Sequence, residues 1–182
     1  MRENFGAFPA SAYTPLREQQ ATLQVNNMTS PFMARAIQLA IENVRSGQGG
    51  PFGAVVVSGG NIIAEGANRV TATNDPTAHA EVLAIRQACQ KQALFELKTC
   101  ELYTSCEPCP MCLGAIYWTR LARVYFGCFA SDASQAGFDD SFIYREIAQP
   151  HAQRGIPMIQ MMREEAQAAF RAWEVKTDKI PY

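Results

Sequence analysis

The sequence predicts an α/β fold, a single mixed sheet covered by helices on both faces. Two observations point there. Short apolar runs suited to strands alternate along the chain with longer segments of helical period, which implies one sheet between helices. Two of the runs are joined by a Gly59-Gly60-Asn61 turn, so one pair is antiparallel and the sheet is not wholly parallel.

Residues 1–27 carry Gly6, Pro9 and Pro15 without a sustained period. They are expected to form an irregular N-terminal extension, and Met28 would make an equally sensible start for the domain 28–182. Ser30 suits a helix N-cap and Pro31 its first position. Phe32, Ala36, Ala40 and Val44, with Met33, Ile37 and Ile41, then form a wide apolar stripe. Gly47 is the expected C-cap, and residues 47–53 a tight connection. Ala54–Val57 and Ile62–Glu65 are the two arms of the hairpin. Asn68–Asp75 is polar and turn-like. Asp75-Pro76 repeats the cap-plus-proline start, predicting a helix to about Gln90 that buries Val82, Leu83, Ile85 and Ala88. Leu102–Thr104 is a short strand, and 106–110 turn into a helix reaching about Trp118. Val124–Cys128 is strand-like. Phe138–Ile147 is expected to be a loop with one short helix, and Met158–Met162 the fifth strand. Glu165–Lys176 is the last helix, with Ala166, Ala169, Phe170 and Trp173 on one face.

At 182 residues and 48% apolar, the chain suffices for one domain with a full core. The formal net charge is -1 and the Lys and Arg residues are scattered, which argues against a nucleic-acid footprint. There is no signal-peptide pattern and no apolar run of about 18 residues that could span a bilayer. The six cysteines therefore suit a reducing cytoplasm, where closely spaced thiols are metal ligands or reactive groups.

Two segments at expected helix starts carry the chemistry. Cys109-Pro110-Met111-Cys112 places two sulfurs on one face, and a helix N-terminus favours the thiolate that a metal requires. Alone, the pair could equally be a redox couple or half of a four-cysteine zinc site. His79-Ala80-Glu81 lies 30 residues upstream. His79, Cys109 and Cys112 make a three-ligand zinc set with an open position, the catalytic pattern, and Glu81 is a carboxylate outside that set. Cys106 could close the shell instead and give a non-catalytic zinc-stabilised binding module. The H-x-E and P-C-x-x-C halves, with Pro108 before Cys109, form the zinc-deaminase signature. In that chemistry zinc activates water, and Glu81 shuttles its proton to the ring and to the departing amine.

GGPFGAVVV at 49–57, NDPTAHAEVLAIR at 74–86, LYTSCEPCPMCLGAIYW at 102–118 and AGFDDSFIY at 136–144 resemble the cytidine deaminase-like superfamily, and within it the bacterial guanine deaminases. The likeness spans residues 31–182. It implies a three-layer α/β/α fold with a central mixed five-stranded sheet. It also implies a zinc-dependent hydrolase taking guanine to xanthine and ammonia, with related amino-heterocycles such as ammeline as further candidates. A homodimer is implied too, in which the C-terminal segment of one subunit closes the partner's site. Carried over, His79, Cys109 and Cys112 match the zinc ligands, and Glu81 the proton shuttle. Asn68 and Asp140 match the residues that bind the base, Phe52 and Trp118 match pocket walls, and Tyr182 matches the swapped terminal tyrosine. Asp139 is the immediate rival of Asp140, and Glu146 is a further acidic candidate. RNA adenosine and cytosine are the competing substrates that the same motifs allow.

Overall fold

The computed structural model describes residues 29–181. The expected extension at 1–27 and the terminal Tyr182 lie outside the described residues.

Helix α1 (Pro31–Arg45) opens the fold, with Pro31 in its first turn as its fixed φ favours. It runs into the hairpin β1 (Gly53–Ser58) and β2 (Asn61–Ala67). The turn between them has positive φ at both Gly59 and Gly60, 55° and 77°, as a two-residue hairpin turn requires. A short helix α2 (Val70–Thr73) follows, then α3 (Ala80–Gln92), β3 (Cys100–Cys106), α4 (Pro110–Thr119) and β4 (Arg123–Cys128). Helices α5 (Ala130–Gln135), α6 (Ser141–Ala148) and α7 (Arg163–Val175) complete the described chain, with a 3-10 turn at His151–Gln153.

The sheet order is β2-β1-β3-β4. β1 is antiparallel to both β2 and β3, and β3 is parallel to β4, so the sheet is mixed. Alternation along the strands divides the core in two. Val55, Val57 and Tyr103 face α1, where Phe32, Met33 and Leu39 pack on them. Ala54, Val56 and Leu102 face Ala80, Ala84 and Ile85 of α3 and Ile116 of α4. The result is three layers, helix, sheet and helix. Val55, Val56 and Leu102 are fully buried, and each such side chain is worth about 1.5–3 kcal/mol. Gly66 sets how closely α3 can approach. A Cβ there would lie 2.1 Å from the Ala80 carbonyl oxygen, so only glycine lets the first turn of α3 rest on β2.

Four strands form the sheet among the described residues, which corrects the expectation of five. The segment expected to supply the fifth, Met158–Met162, carries no strand hydrogen bonds. The chain is turned away before it: Glu146 Oε2 accepts from Gly155 N at 2.6 Å, and Arg154 donates to the Ile147 and Gln149 carbonyls. Met162 then adopts a left-handed φ of 50° at the start of α7. A run of strand-like composition becomes a strand only where a ladder partner meets it, and Ile156, Met158, Ile159 and Met161 instead stand 57–80% exposed.

Two boundaries also differ from the sequence reading. Asp75 does not start α3. Its Oδ1 accepts from Thr77 N at 2.8 Å and from the Thr77 hydroxyl, an Asx turn, and the helix begins four residues beyond Pro76. Helix α5 was not anticipated; Asp132 Oδ2 accepts from Phe129 N at 2.8 Å and closes its first turn.

Candidate metal centre and active site

His79 is the N-cap of α3 and Cys109 the N-cap of α4, both with extended backbone. Two helix N-termini therefore converge on one point, and their positive ends favour anionic ligands. Cys112 lies on the first turn of α4 and is fully buried. His79 Nδ1 stands 3.5 Å from the sulfur of Cys109 and 3.5 Å from that of Cys112. All three donor atoms lie within 4.8 Å of one another. With Zn–S near 2.3 Å and Zn–N near 2.0 Å, the N···S edge of a tetrahedron is about 3.5 Å, so the donor set fits zinc. Among the described residues Cys106 is not part of this cluster. Its thiol points to the Phe129 carbonyl at 3.6 Å, and burial pushes its pKa up to about 11. Three protein donors leave a tetrahedral ion open to a fourth, exchangeable ligand.

The electrostatics follow from proximity and burial. A hydrogen bond from Cys112, reinforced by His79, lowers the Cys109 thiol to about 4, against its burial. His79 is raised, first by its hydrogen bond to Cys109. Glu81 is 5% exposed, and desolvation raises its pKa. Its two oxygens are held separately: Thr104 Oγ1 donates to Oε1 at 3.2 Å, and Cys112 Sγ donates to Oε2 at 3.5 Å. The carboxyl is thereby fixed against the donor cluster.

These residues open into a cavity of about 360 Å³, whose walls include Phe52, Asn68, Cys106, Phe138, Asp139 and Asp140. Phe52 and Phe138 meet edge to face, with centroids 5.0 Å apart. The two aspartates divide their tasks. Asp139 Oδ1 accepts from Ser141 N at 2.9 Å, while Asp140, the N-cap of α6, makes no capping bond with its side chain. Burial, with the neighbouring Cys109, raises Asp140 above the usual carboxylate value. Asn68 is 7% exposed, and its Oδ1 accepts from Gly50 N and Val70 N.

The cavity thus brings together His79, Glu81, Cys109, Asn68, Asp140 and Phe52, with Cys112 buried behind them. Trp118 lies on α4, 68% exposed, and is not among the lining residues. Glu146 also lies outside this cavity, holding Gly155 N. Sequence reasoning missed Thr104 and Phe138. Thr104 is one of a run of buried strand positions with no local signal. Phe138 was visible only as part of the AGFDDSFIY stretch.

Residues 26–128 match the model of the cytidine and deoxycytidylate deaminase zinc-binding region. The chain belongs to this family. The deaminase is 56% identical to the guanine deaminase of Bacillus subtilis over 151 residues, 83% of this chain and 97% of that one. The crystal structure of the Bacillus subtilis guanine deaminase superposes with a TM-score of 0.82 at 54% identity, covering 85% of this chain and 99% of that one. The tRNA-specific adenosine deaminase of Agrobacterium fabrum is 46% identical over 77 residues, 42% of this chain and 51% of that one. The likeness to the RNA-acting relative is thus confined to part of each chain, whereas the likeness to guanine deaminase runs through nearly all of the relative's length. Family membership and the donor geometry together make Zn²⁺ the cofactor of this deaminase.

Proposed function

We propose that this deaminase hydrolyses free guanine to xanthine and ammonia. One observation carries the reading: a buried carboxylic acid, a three-donor zinc set and two base-sized polar readers, Asn68 and Asp140, open into one cavity with aromatic walls. The extended likeness to a guanine deaminase supports the choice of base.

Zinc, held by His79, Cys109 and Cys112, supplies the Lewis acidity that makes water nucleophilic near neutral pH. Glu81 takes the proton of the attacking water and passes it to the ring nitrogen beside the carbon that bears the amine. Protonation polarises the C–N double bond and makes that carbon more electrophilic, and the bond is consumed as the water oxygen adds to the carbon. Glu81 then delivers the second water proton to the departing amine, which leaves as ammonia. One water is consumed, and its oxygen stays on the ring as the new carbonyl. A buried carboxyl beside the donor cluster suits this double duty, since it must both accept and return a proton within reach of the reacting atoms. Asp140 accepts from the ring N–H and amino donors of guanine, and Asn68 Nδ2 donates to a ring acceptor. Phe52 packs on the base plane. Ammeline presents a similar edge and is a second substrate candidate.

The functional unit we propose is a homodimer in which the C-terminal segment of one subunit reaches the partner, with Tyr182 completing its pocket. The exposed apolar side chains from Ile156 to Met162 and on α7, Phe170 at 70% among them, support it, because such a run is normally covered. Residues 28–182 form the deaminase domain and 1–27 its extension. No disulfide joins the six cysteines, which supports a place in the reducing cytoplasm.

Turnover of guanine in ¹⁸O-labelled water tests the chemistry. Xanthine carrying one ¹⁸O is expected. Absence of xanthine, or xanthine without the label, overturns the reading.

A further inference from the structure

Asn43 occupies a position that helical period assigns to an apolar side chain. It follows Ala36 and Ala40 on the inner face of α1 and is 3% exposed. A buried amide is costly unless its polar atoms are paired. Its Nδ2 donates to two carbonyl oxygens, Gly50 O at 2.9 Å and Asn68 O at 2.8 Å. Its Oδ1 is buried and accepts no hydrogen bond among the described residues. Burial of an unpaired acceptor opposes folding, so stability alone does not account for asparagine there.

Those two carbonyls belong to the segments that frame one side of the cavity, and Asn43 joins them. Asn68 returns the contact, because its Oδ1 accepts from Gly50 N and Val70 N, each at 3.3 Å. That commits the Asn68 oxygen to the protein and leaves Nδ2 as the atom a ligand can use. The segments also touch directly. A Cβ on Gly49 would fall 2.2 Å from Asn68 O and 3.0 Å from Asn43 Nδ2. The Asn68 backbone is therefore held at its carbonyl by the Asn43 side chain and by close approach to Gly49, while its side-chain amide is oriented by Gly50 N and Val70 N.

We propose that Asn43 is a positioning residue, which acts on the base through Asn68 and touches no substrate itself. The inference rests on the proposed function for the identity of the base, but the positioning itself stands on the geometry. Displacement of a contact group by about 1 Å can cost on the order of a hundredfold in rate.

Asn43→Leu supplies the apolar group that the helical period predicts, with nearly the same shape, and removes both loop contacts. It is expected to keep its zinc and to fold, melting several degrees below the parent because Asn68 O loses its donor. Its kcat/KM on guanine is expected to fall about tenfold to a hundredfold. In an Asn68→Ala background the same change is expected to cost less than twofold, because the group it positions is already gone. An equal loss in both backgrounds overturns the proposal. Asn43→Ala serves in the same cycle should leucine prevent folding. A crystal structure of the soluble variant separates this inference from the choice of substrate. Displacement of the Asn68 amide from Gly50 N supports positioning even if the parent enzyme proves silent on guanine. An Asn68 found unmoved overturns it whatever the substrate.

Discussion

At the scale of the residue, Glu81 shows how environment sets the behaviour of a side chain. Its carboxyl is raised chiefly by burial, and its Oε1 accepts a hydrogen bond from Thr104 Oγ1. Glutamine has the same shape and retains an acceptor for Thr104, but it cannot shuttle a proton. Glu81→Gln is therefore expected to keep one zinc per chain and lose turnover by at least about a hundredfold. Metal analysis beside ammonia release checks this, and loss of zinc in the variant would contradict the assigned role. The sequence disclosed His79, Glu81, Cys109 and Cys112 because their spacing fits one metal and one proton shuttle. It could not disclose Thr104, 23 residues beyond Glu81, because β3 alone brings the two together. Residue type alone did not rank Asp139 against Asp140; the resemblance chose Asp140. Only the observed hydrogen bond shows that Asp139 ties down Ser141 N while Asp140 does not cap. Asn43 was not singled out, because an asparagine beside Glu42 has the composition of solvated surface even though its spacing from Ala36 and Ala40 places it on the inner face.

At the scale of the element, the site depends on where α3 begins and how close it lies to the sheet. Gly66→Ala is expected to push α3 off β2 and destabilise the fold by about 1–3 kcal/mol, the usual cost of overpacking. An unchanged midpoint in urea denaturation would contradict the close approach of Gly66 to the Ala80 carbonyl. The link between α1 and β2 is electrostatic. Arg35 Nε and Nη2 meet Glu65 Oε1 and Oε2 at 2.8 and 2.7 Å, a bidentate pair about one third exposed. Such a pair contributes up to about 1 kcal/mol. The Arg35 hydrogen bonds hold Glu65 below its ordinary value of 4.5. Its contribution is thus complete above that value and lost as pH falls through the depressed one. The melting temperatures of the parent and Glu65→Gln should differ at pH 7 and draw together as the pH falls below the ordinary glutamate range; a gap that stays constant would remove the pair from the ledger. Hydrophobic period made α1, the hairpin, β3, α4 and β4 legible. The start of α3 was not, because Asp75-Pro76 has the composition of a helix cap but the geometry of an Asx turn. The fifth strand was not, because composition cannot supply a ladder partner.

At the scale of the whole molecule, the distribution of apolar surface supports a dimer. Ile156, Met158, Ile159, Met161 and Phe170 expose large side chains on one stretch of chain, a pattern that single folded subunits normally avoid. Sedimentation of the full chain is expected to give a dimer, and removal of residues 156–182 a monomer. A full chain that sediments as a monomer contradicts the exchange. Deletion of Tyr182 alone should lower turnover without changing the melting temperature, and unchanged kinetics would take the terminal tyrosine out of the site. The central claim is that one zinc, Glu81 and the Asn68–Asp140 pair act together on guanine. It is tested most directly by ammonia release from the zinc-loaded protein with guanine, adenine, cytosine and guanosine in parallel. Release from guanine, with the other three near background, is the predicted result. Silence on guanine with release from another of the four would contradict it.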